Sequence, residues 1–169
     1  MPGQCIVVAV GLPGSGKSHY FQRLGIHPLS SDALRLILSD DENNQVINGP
    51  VFAALHYLLI KRVELGNAFT YIDATSLTRR ERRPYIEIAR AYKCDIEALY
   101  FDVPLAICLK RNSQRGRQVP VNVLELMAAR LNPPSVSEGF DQVSVVPHRD
   151  RPGADPEALQ MQDSAPSLG

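Results

Sequence analysis

The sequence predicts an α/β fold in which a parallel sheet is flanked by helices. Short runs rich in β-branched residues alternate along the chain with longer stretches of helical apolar periodicity. The first run, residues 5–10, is continuously apolar, which is typical of a strand buried on both faces of a parallel sheet. A glycine-rich segment follows this run and leads into a helix, so the chain opens with a strand–turn–helix unit.

The glycine-rich segment, residues 11–18, has the complete G-x-x-x-x-G-K-[ST] pattern of a P-loop. Glycine lets the backbone curl so that successive N–H groups point at phosphate oxygens. Lys17 is expected to reach the β- and γ-phosphates, and Ser18 to offer its hydroxyl to Mg²⁺. The pattern predicts a P-loop NTPase-type fold that binds Mg²⁺ and ATP or another nucleoside triphosphate. The predicted phosphate-binding residues are Gly11, Pro13, Gly14, Ser15, Gly16, Lys17 and Ser18.

The longest predicted helix begins near residue 48 and ends before Gly66. Asn48 is expected to cap its first turn, which contains Pro50, and Gly66 lies just past its end. Its apolar residues recur at helical spacing, so they are predicted to share one buried face. These residues are Val51, Phe52, Leu55, Leu58, Leu59 and Val63.

The other elements keep the alternation of strand and helix. Thr78 and Glu81 form the Thr-x-x-Glu pattern of a capping box, which predicts a helix that runs to about Tyr92. The remaining predictions are helices over 17–24, 32–38, 104–112 and 121–131, strands over 28–30, 68–72, 95–101 and 139–146, an acidic loop over 39–44 and a basic segment over 111–120. We expect one folded domain over residues 1–146 and a disordered, proline-rich tail over residues 147–169.

Composition limits the function classes. The formal net charge at pH 7 is zero, which argues against a broad nonspecific nucleic-acid surface but allows a small positive pocket. No apolar stretch approaches the roughly 20 residues that span a bilayer, and no signal peptide is recognisable, so we expect a cytoplasmic protein without a membrane partner. The three cysteines, Cys5, Cys94 and Cys108, lie in apolar segments and are predicted to be buried, reduced thiols.

An aspartate, Asp73, ends the predicted third strand. Ligands of open α/β sheets bind at the carboxyl ends of the strands, so Asp73 is placed to orient the Mg²⁺ shell or the hydroxyl of Ser18. The alternative is an aspartate that caps backbone N–H groups in a turn.

A second acidic candidate, Asp32, follows the predicted second strand. Arg35 lies three residues later, so the two side chains share one helix face. Asp32 is a candidate general base that accepts the proton of an attacking hydroxyl, and Arg35 is a candidate ligand for a substrate phosphate. The alternative is an N-cap aspartate with a local ion pair.

Arginines cluster in two segments. Arg111, Arg115 and Arg117 lie in the basic segment, where a mobile lid would bring positive charge to a transferring phosphoryl group. The second cluster is predicted to form one solvated helix face, with Arg79 and Arg83 alternatively flanking a polyanion. Its members are Arg79, Arg80, Arg82, Arg83, Arg90 and Lys93.

Taken in order, these motifs resemble the kinase domain of phage T4-type polynucleotide kinase and related bacterial 5′-end-healing kinases. The resemblance covers roughly residues 4–132. The residues that carry it are Gly11 to Ser18, Asp32-x-x-Arg35, Asp73-Ala74-Thr75-Ser76-Leu77 with Glu81-Arg82-Arg83, Phe101-Asp102-Val103-Pro104 and Lys110-Arg111-Asn112-Ser113-Gln114-Arg115-Gly116.

The resemblance implies transfer of the ATP γ-phosphate to the 5′-hydroxyl end of RNA or DNA. Carried over by position, Lys17 and Ser18 bind the phosphates and Mg²⁺, Asp32 is the general base, and Arg35 contacts the 3′ phosphate of the acceptor. Asp73 supports the acceptor site or the metal shell, and Thr75 of the same motif is counted with the acceptor site. Arg115 is the lid arginine on the donor phosphates, with Arg111 beside it. No phosphatase motif follows residue 132, so 3′-end healing is not expected from this chain.

Two other functions remain open at this point. One is a P-loop kinase for a small-molecule hydroxyl acceptor such as a sugar, nucleoside or antibiotic, because the same aspartate base and arginine lid would serve it. The other is a nucleotide-binding switch without acceptor-dependent turnover. A homo-oligomer is also left open.

Overall fold

The computed structural model describes residues 3–148, which form a five-stranded parallel sheet flanked by helices. The strands are β1 (Cys5–Val10), β2 (Leu29–Ser30), β3 (Phe69–Asp73), β4 (Asp95–Tyr100) and β5 (Gln142–Val145). The helices are α1 (Lys17–Arg23), α2 (Ser31–Ser39), α3 (Asn48–Glu64), α4 (Arg79–Tyr92), α5 (Leu105–Ser113) and α6 (Val121–Arg130). The predicted fold class is confirmed. From residue 149 onwards the predicted tail lies outside the described residues.

The strand β1 lies at the centre of the sheet. The strand order is β2-β3-β1-β4-β5, and every neighbouring pair is parallel. The next two strands of the chain, β2 and β3, therefore lie on one side of β1, and the last two, β4 and β5, lie on the other. Such a reversal leaves a crevice at the carboxyl ends of the central strands, where open α/β sheets bind ligands. The P-loop follows β1 and so lies at this edge.

Both faces of β1 are buried, as its continuous apolar sequence predicts. Ile6 and Val8 belong to the larger core cluster, which they share with residues of α3 and α4. Ala9 belongs to a second cluster with Phe21 of α1. A third cluster packs α5 and α6 with Leu12 of the P-loop. The helix pair that flanks the basic segment therefore shares a small core with the P-loop.

The start of α3 differs from the prediction. Ile47 is the N-cap residue and makes no side-chain capping bond, while Asn48 is the first helical residue. The side chain of Asn48 accepts a hydrogen bond from Arg35 instead, at 2.7 Å. Asn48 is thus drawn away from the helix end by a charged partner, since a hydrogen bond to a guanidinium is stronger than one to a neutral amide. The end of the helix before Gly66 is confirmed.

The predicted buried face of α3 is correct at four of its six positions. Val51, Leu55, Leu59 and Val63 are buried. Leu58 is exposed and Phe52 is half-buried. The apolar stripe is narrower than predicted because Phe52 faces the cleft described below rather than the sheet.

The capping box of α4 is confirmed, but the prediction that its arginines form one solvated face is wrong at Arg82. Thr78 and Glu81 make both reciprocal capping bonds. Arg82, by contrast, is fully buried and pairs with Glu138 through two hydrogen bonds of 2.9 and 2.8 Å. Its remaining nitrogen donates to backbone carbonyls of Ser76, Leu77 and Asn132. Burial of this guanidinium is tolerated because it is paired and hydrogen-bonded.

The thiols follow the prediction in part. Cys5 and Cys108 are buried and Cys94 is half-buried, and none of the three forms a disulfide. Burial, aided by nearby acidic residues, raises the pKa of the Cys5 thiol to about 12. Among the described residues, no helix is long and apolar enough to cross a membrane.

Candidate active site

The P-loop connects β1 to α1 and needs glycine at specific positions. Gly14 and Gly16 have φ values of +84° and +97°, a region that side chains with a Cβ rarely adopt. A Cβ at Gly14 would also lie 3.1 Å from the carbonyl oxygen of Cys108. The N–H of Gly11 donates to the carbonyl oxygen of Thr75 at 3.1 Å, which joins the loop to the end of β3.

The side chain of Lys17 is buried inside the P-loop. Its Nζ donates to the carbonyl oxygens of Gly11 and Leu12, both at 2.9 Å, and lies 3.4 Å from Ser15 Oγ. Burial lowers the pKa of Lys17 to about 8, against an opposing effect of the Asp73 carboxylate. The amine is therefore held close to the loop that would bind phosphates, and desolvation has made its charge sensitive to mildly alkaline pH.

The hydroxyl of Ser18 donates to Asp73 Oδ2 at 2.7 Å. Asp73 is buried at the end of β3, beside Ser30 of β2. The structure thus brings together the two side chains expected to serve Mg²⁺. A hydroxyl and a carboxylate are the hard oxygen donors that Mg²⁺ prefers, and this ion commonly takes only one or two protein ligands and keeps several waters. The residues present fit Mg²⁺, which Ser18 would hold with Asp73 beside it.

In the same cleft, Asp32 lies in the first turn of α2. Ser30, rather than Asp32, is the N-cap residue, and its side chain accepts from the N–H of Ala33. The capping alternative for Asp32 is therefore wrong. Its carboxylate is half-exposed, and Oδ1 accepts from Arg35 Nη1 at 2.7 Å. An aspartate freed from capping and open to the cleft is able to accept a proton from a substrate hydroxyl.

Arg35 is buried and its guanidinium is held on two sides. Nη1 contacts Asp32, and Nη2 donates to Asn48 Oδ1 at 2.7 Å. Its Nε is buried without a hydrogen-bond partner among residues 3–148. A buried unpaired donor of a charged group is costly, which indicates that an acceptor group belongs beside it. Asn48 is a site residue that the sequence did not reveal, because its position matched a helix cap.

The part of the basic segment that connects α5 to α6, residues 114–120, borders the cleft. We call it the lid loop. Arg115 lines the cleft, and its charge adds to the effect of burial in lowering the pKa of Lys17. Arg111 Nη1 donates to the carbonyl oxygen of Gly14 at 3.1 Å. The two arginines expected to serve the donor phosphates are thus both placed beside the P-loop.

A third arginine of the basic segment over 111–120, Arg117, reaches Asp32. Nη1 donates to Asp32 Oδ2 at 3.1 Å, and Nη2 donates to the carbonyl oxygen of Glu42, also at 3.1 Å. Nε donates to Asn43 Oδ1. Glu42 and Asn43 belong to the predicted acidic loop. Their role was missed because nothing in the local sequence indicates a partner more than 70 residues away.

Apart from Glu42, the charged and amide side chains described above line one cleft of about 1420 Å³. Single drug-sized ligands occupy pockets of about 300–1,000 Å³, so this cleft has room for a nucleotide and an acceptor together. Phe52, His56 and Tyr85 form an aromatic wall of this cleft. Burial lowers the pKa of His56 and favours its neutral form. Thr75 also lines the cleft.

Comparison with known proteins gives a family and several relatives. A family model described as "AAA domain" matches residues 6–134. The L-seryl-tRNA(Sec) kinase of Methanococcus maripaludis is 25% identical over 144 residues, which cover 80% of this chain and 56% of the relative. The chain thus spans little more than half the length of that curated relative.

Solved structures give a similar fold. The structure of a Pnkp1/Rnl/Hen1 RNA repair complex has a TM-score of 0.66 at 23% identity, with 78% of this chain and 45% of the other covered. A gluconokinase from Sinorhizobium meliloti has a TM-score of 0.60 at 18% identity, with 96% and 89% covered. At these identities the likeness shows the fold alone.

Proposed function

The chain belongs to the AAA-domain family and has a P-loop kinase fold. We propose that it transfers the γ-phosphate of ATP to the 5′-hydroxyl end of RNA or DNA. The observation that carries the proposal is the Asp32–Arg35 pair, which lines the same cleft as the P-loop. It supplies a carboxylate for a hydroxyl and a buried guanidinium for an anion. A polynucleotide end offers both groups, because a phosphate lies close to its terminal hydroxyl.

The proposed chemistry is an in-line displacement. The acceptor oxygen attacks the γ-phosphorus and gives its proton to Asp32, while the bond from that phosphorus to the bridging oxygen of ADP breaks. Lys17 and Arg115 neutralise charge on the transferring group, and the P-loop amides orient the donor phosphates. Ser18, with Asp73 beside it, would hold Mg²⁺, which would supply positive charge next to the donor phosphates.

Arg35 sets the acceptor class in this proposal. Nη1 and Nη2 each donate one N–H, to Asp32 and to Asn48, and the buried Nε has no partner among residues 3–148, so N–H groups of Arg35 remain for a substrate anion. An acceptor phosphate placed there would hold the terminal hydroxyl near Asp32. A neutral sugar would offer this charged donor only hydroxyl oxygens, which are weaker acceptors than a phosphate, and this disfavours a small neutral acceptor.

A second candidate function is supported by the curated relative from Methanococcus maripaludis, which is named a kinase of the serine attached to a tRNA. Its acceptor is also a hydroxyl on an RNA, so the same aspartate base and arginine lid would serve it. The two acceptors differ in the group beside the hydroxyl. In the first it is a backbone phosphate, and in the second it is the aminoacyl ester.

The test is transfer of labelled γ-phosphate from ATP with Mg²⁺ to a matched set of acceptors. The set contains 5′-hydroxyl RNA and DNA oligonucleotides, a nucleoside 3′-phosphate and the same nucleoside without that phosphate, L-seryl-tRNA(Sec), and gluconate. We expect label on the 5′ ends, stronger when that phosphate is present. Label only on seryl-tRNA selects the second function, and label only on gluconate overturns both.

The matched variant for this test is Asp32→Ala. Loss of a general base lowers rates by roughly 10²–10⁴-fold, so we expect at least about a 100-fold loss of transfer. Binding of ATP should change little, because the carboxylate lies on the acceptor side. An Asp32→Ala protein that keeps its full rate contradicts the base assignment.

A further inference from the structure

We propose that Arg117 is a positioning residue that orients the carboxylate of Asp32 only when the lid loop is closed over the cleft. The proposal rests on the proposed function, since it takes Asp32 as the general base. It adds a coupling between the donor side, where Arg115 lies, and the acceptor side, where Asp32 lies. No motif of the sequence assigned this role to Arg117.

The contacts of Arg117 are specific in direction. All three guanidinium nitrogens donate: Nε to Asn43, Nη1 to Asp32 and Nη2 to the carbonyl oxygen of Glu42. The Glu42 carboxylate adds an ion pair at 3.4 Å from Nη1. Because the guanidinium is a rigid planar fork, three partners on different sides fix its plane as well as its position. Lysine at this position would reach only part of the set.

The lid loop that carries Arg117 is pinned at its base. Asn112 is buried, its Nδ2 donates to the carbonyl oxygen of Val119 at 2.7 Å, and its Oδ1 accepts from the N–H of Val119 at 2.8 Å. These two hydrogen bonds hold both ends of the segment together, so it forms a closed loop. Arg115 and Arg117 are two residues apart in it, so a displacement that removes one from the cleft also removes the other.

The effect on Asp32 follows from its two oxygens. Oδ1 is held by Arg35, which is buried and fixed by Asn48, whereas Oδ2 is held by Arg117. With Arg35 alone, the carboxylate is free to rotate, because its terminal torsion is broad and soft. With both arginines its plane is fixed. Each oxygen keeps a second lone pair for the hydrogen of a substrate hydroxyl, so positioning does not block the base.

The strength of the contact suits a reversible closure. The side chains of Arg117 and Asp32 are 34% and 51% exposed, and ion pairs of such exposure are individually weak. A nucleotide must enter the cleft before the lid loop closes over it, so a tight contact would slow each turnover. A base that is oriented only on closure would also protect a bound donor from reaction before the acceptor is enclosed.

The kinetic test compares Arg117→Ala, Asp32→Asn and the double variant, using the acceptor preferred by the wild type. We expect Arg117→Ala to lower kcat by about 10- to 100-fold, as misplacement of a reacting group does, with the KM for ATP changed less than about threefold. The double variant should be no slower than Asp32→Asn. Losses that multiply in the double variant overturn the proposal, because Arg117 would then act without Asp32, for example on the phosphoryl group.

The controls separate positioning from general damage. Arg117→Lys, which keeps the charge and one contact, should recover part of kcat. Lys61→Ala removes an exposed ion pair of α3, the pair with Glu64, and should leave kcat unchanged. A Lys61→Ala loss equal to that of Arg117→Ala overturns the proposal.

A second readout needs no acceptor at all. Hydrogen exchange of the lid-loop amides should be faster in Arg117→Ala and in Asp32→Asn than in the wild type, and unchanged in Lys61→Ala. Unchanged exchange in Arg117→Ala overturns the proposal. A further outcome separates the two proposals. If the wild type phosphorylates none of the acceptors but the lid-loop amides of Arg117→Ala exchange faster than those of the wild type, the proposed function is overturned and the contact of Arg117 is supported.

Discussion

At the residue scale, the amine of Lys17 is buried, which disfavours its charge, although phosphate binding needs that charge. Its amine is surrounded by P-loop carbonyls, and burial outweighs the attraction of the Asp73 carboxylate in setting its pKa. The folded chain therefore holds the proton less firmly than an exposed lysine does, and the amine loses it as pH rises through about 8. ATP binding requires the charged amine, so affinity should depend on pH in this range.

We predict that ATP binds roughly tenfold more weakly at pH 9 than at pH 7.5. The reason is that the free protein must take up a proton on Lys17 in order to bind, and each pH unit above the pKa costs a factor of about ten. Isothermal titration calorimetry in buffers of different ionisation enthalpy measures both the affinity and the proton uptake. Lys17→Met should bind weakly at both pH values without this dependence, and a wild-type affinity that is flat to pH 9 contradicts the assignment.

At the scale of elements, α4 carries the strongest tie between distant segments. Arg82 links this helix to the loop after β3 through Ser76 and Leu77, and to the segments after α6 through Asn132 and Glu138. Leu77 also accepts a hydrogen bond from the N–H of Asn132. One buried guanidinium thus holds α4, the loop after β3 and the chain after α6 together.

We predict that Arg82→Met lowers the free energy of unfolding by about 3–5 kcal/mol, because it leaves Glu138 buried and unpaired. Urea unfolding measures the loss. Arg83→Met on the same helix breaks only the exposed pair with Glu87 and should cost less than about 1 kcal/mol.

The double variant Arg82→Met/Glu138→Gln tests the cause of that loss. It removes the unpaired charge while keeping the shape of the side chain, so it should be more stable than Arg82→Met alone. Equal costs for Arg82→Met and Arg83→Met would show that the buried pair does not tie these segments together.

At the scale of the whole molecule, the cleft is assembled from the P-loop, α2 with the acidic loop, and the lid loop. These parts come together only in the folded chain, so ATP binds the native state and not the unfolded one. Ligand binding of this kind stabilises the fold by mass action. The size of the effect depends on the affinity and not on which acceptor the protein uses.

We predict that ATP with Mg²⁺ at 100 times its Kd raises the unfolding temperature by about 5–10 °C. The stabilisation is about 2.7 kcal/mol at that ratio, and a domain of this size shifts by a few degrees for each kcal/mol. Gly14→Ala should show no shift at the same ATP concentration, because its backbone and its contact with Cys108 both disfavour a Cβ. The same series with GTP, CTP and UTP ranks the donors, and a wild type that ATP does not stabilise contradicts the P-loop assignment.

The local features of this protein were determined by its sequence. The P-loop, the doubly buried β1 and the capping box of α4 each depend on residues within a few positions of one another, so spacing alone identifies them. The order of strands and helices follows for the same reason. The pairing of Asp32 with Arg35 was also visible, because three residues along a helix place two side chains on one face.

Only the tertiary structure decided which polar side chains meet across the fold. Arg82 looks like its exposed neighbours in a run of arginines, yet its burial depends on Glu138, 56 residues later. Asn48 matched a helix cap but binds Arg35, and Arg117 meets Asp32 from 85 residues away. Charged and amide groups carry no periodic signal of burial, so their partners are set by where the sheet order and the lid loop bring them.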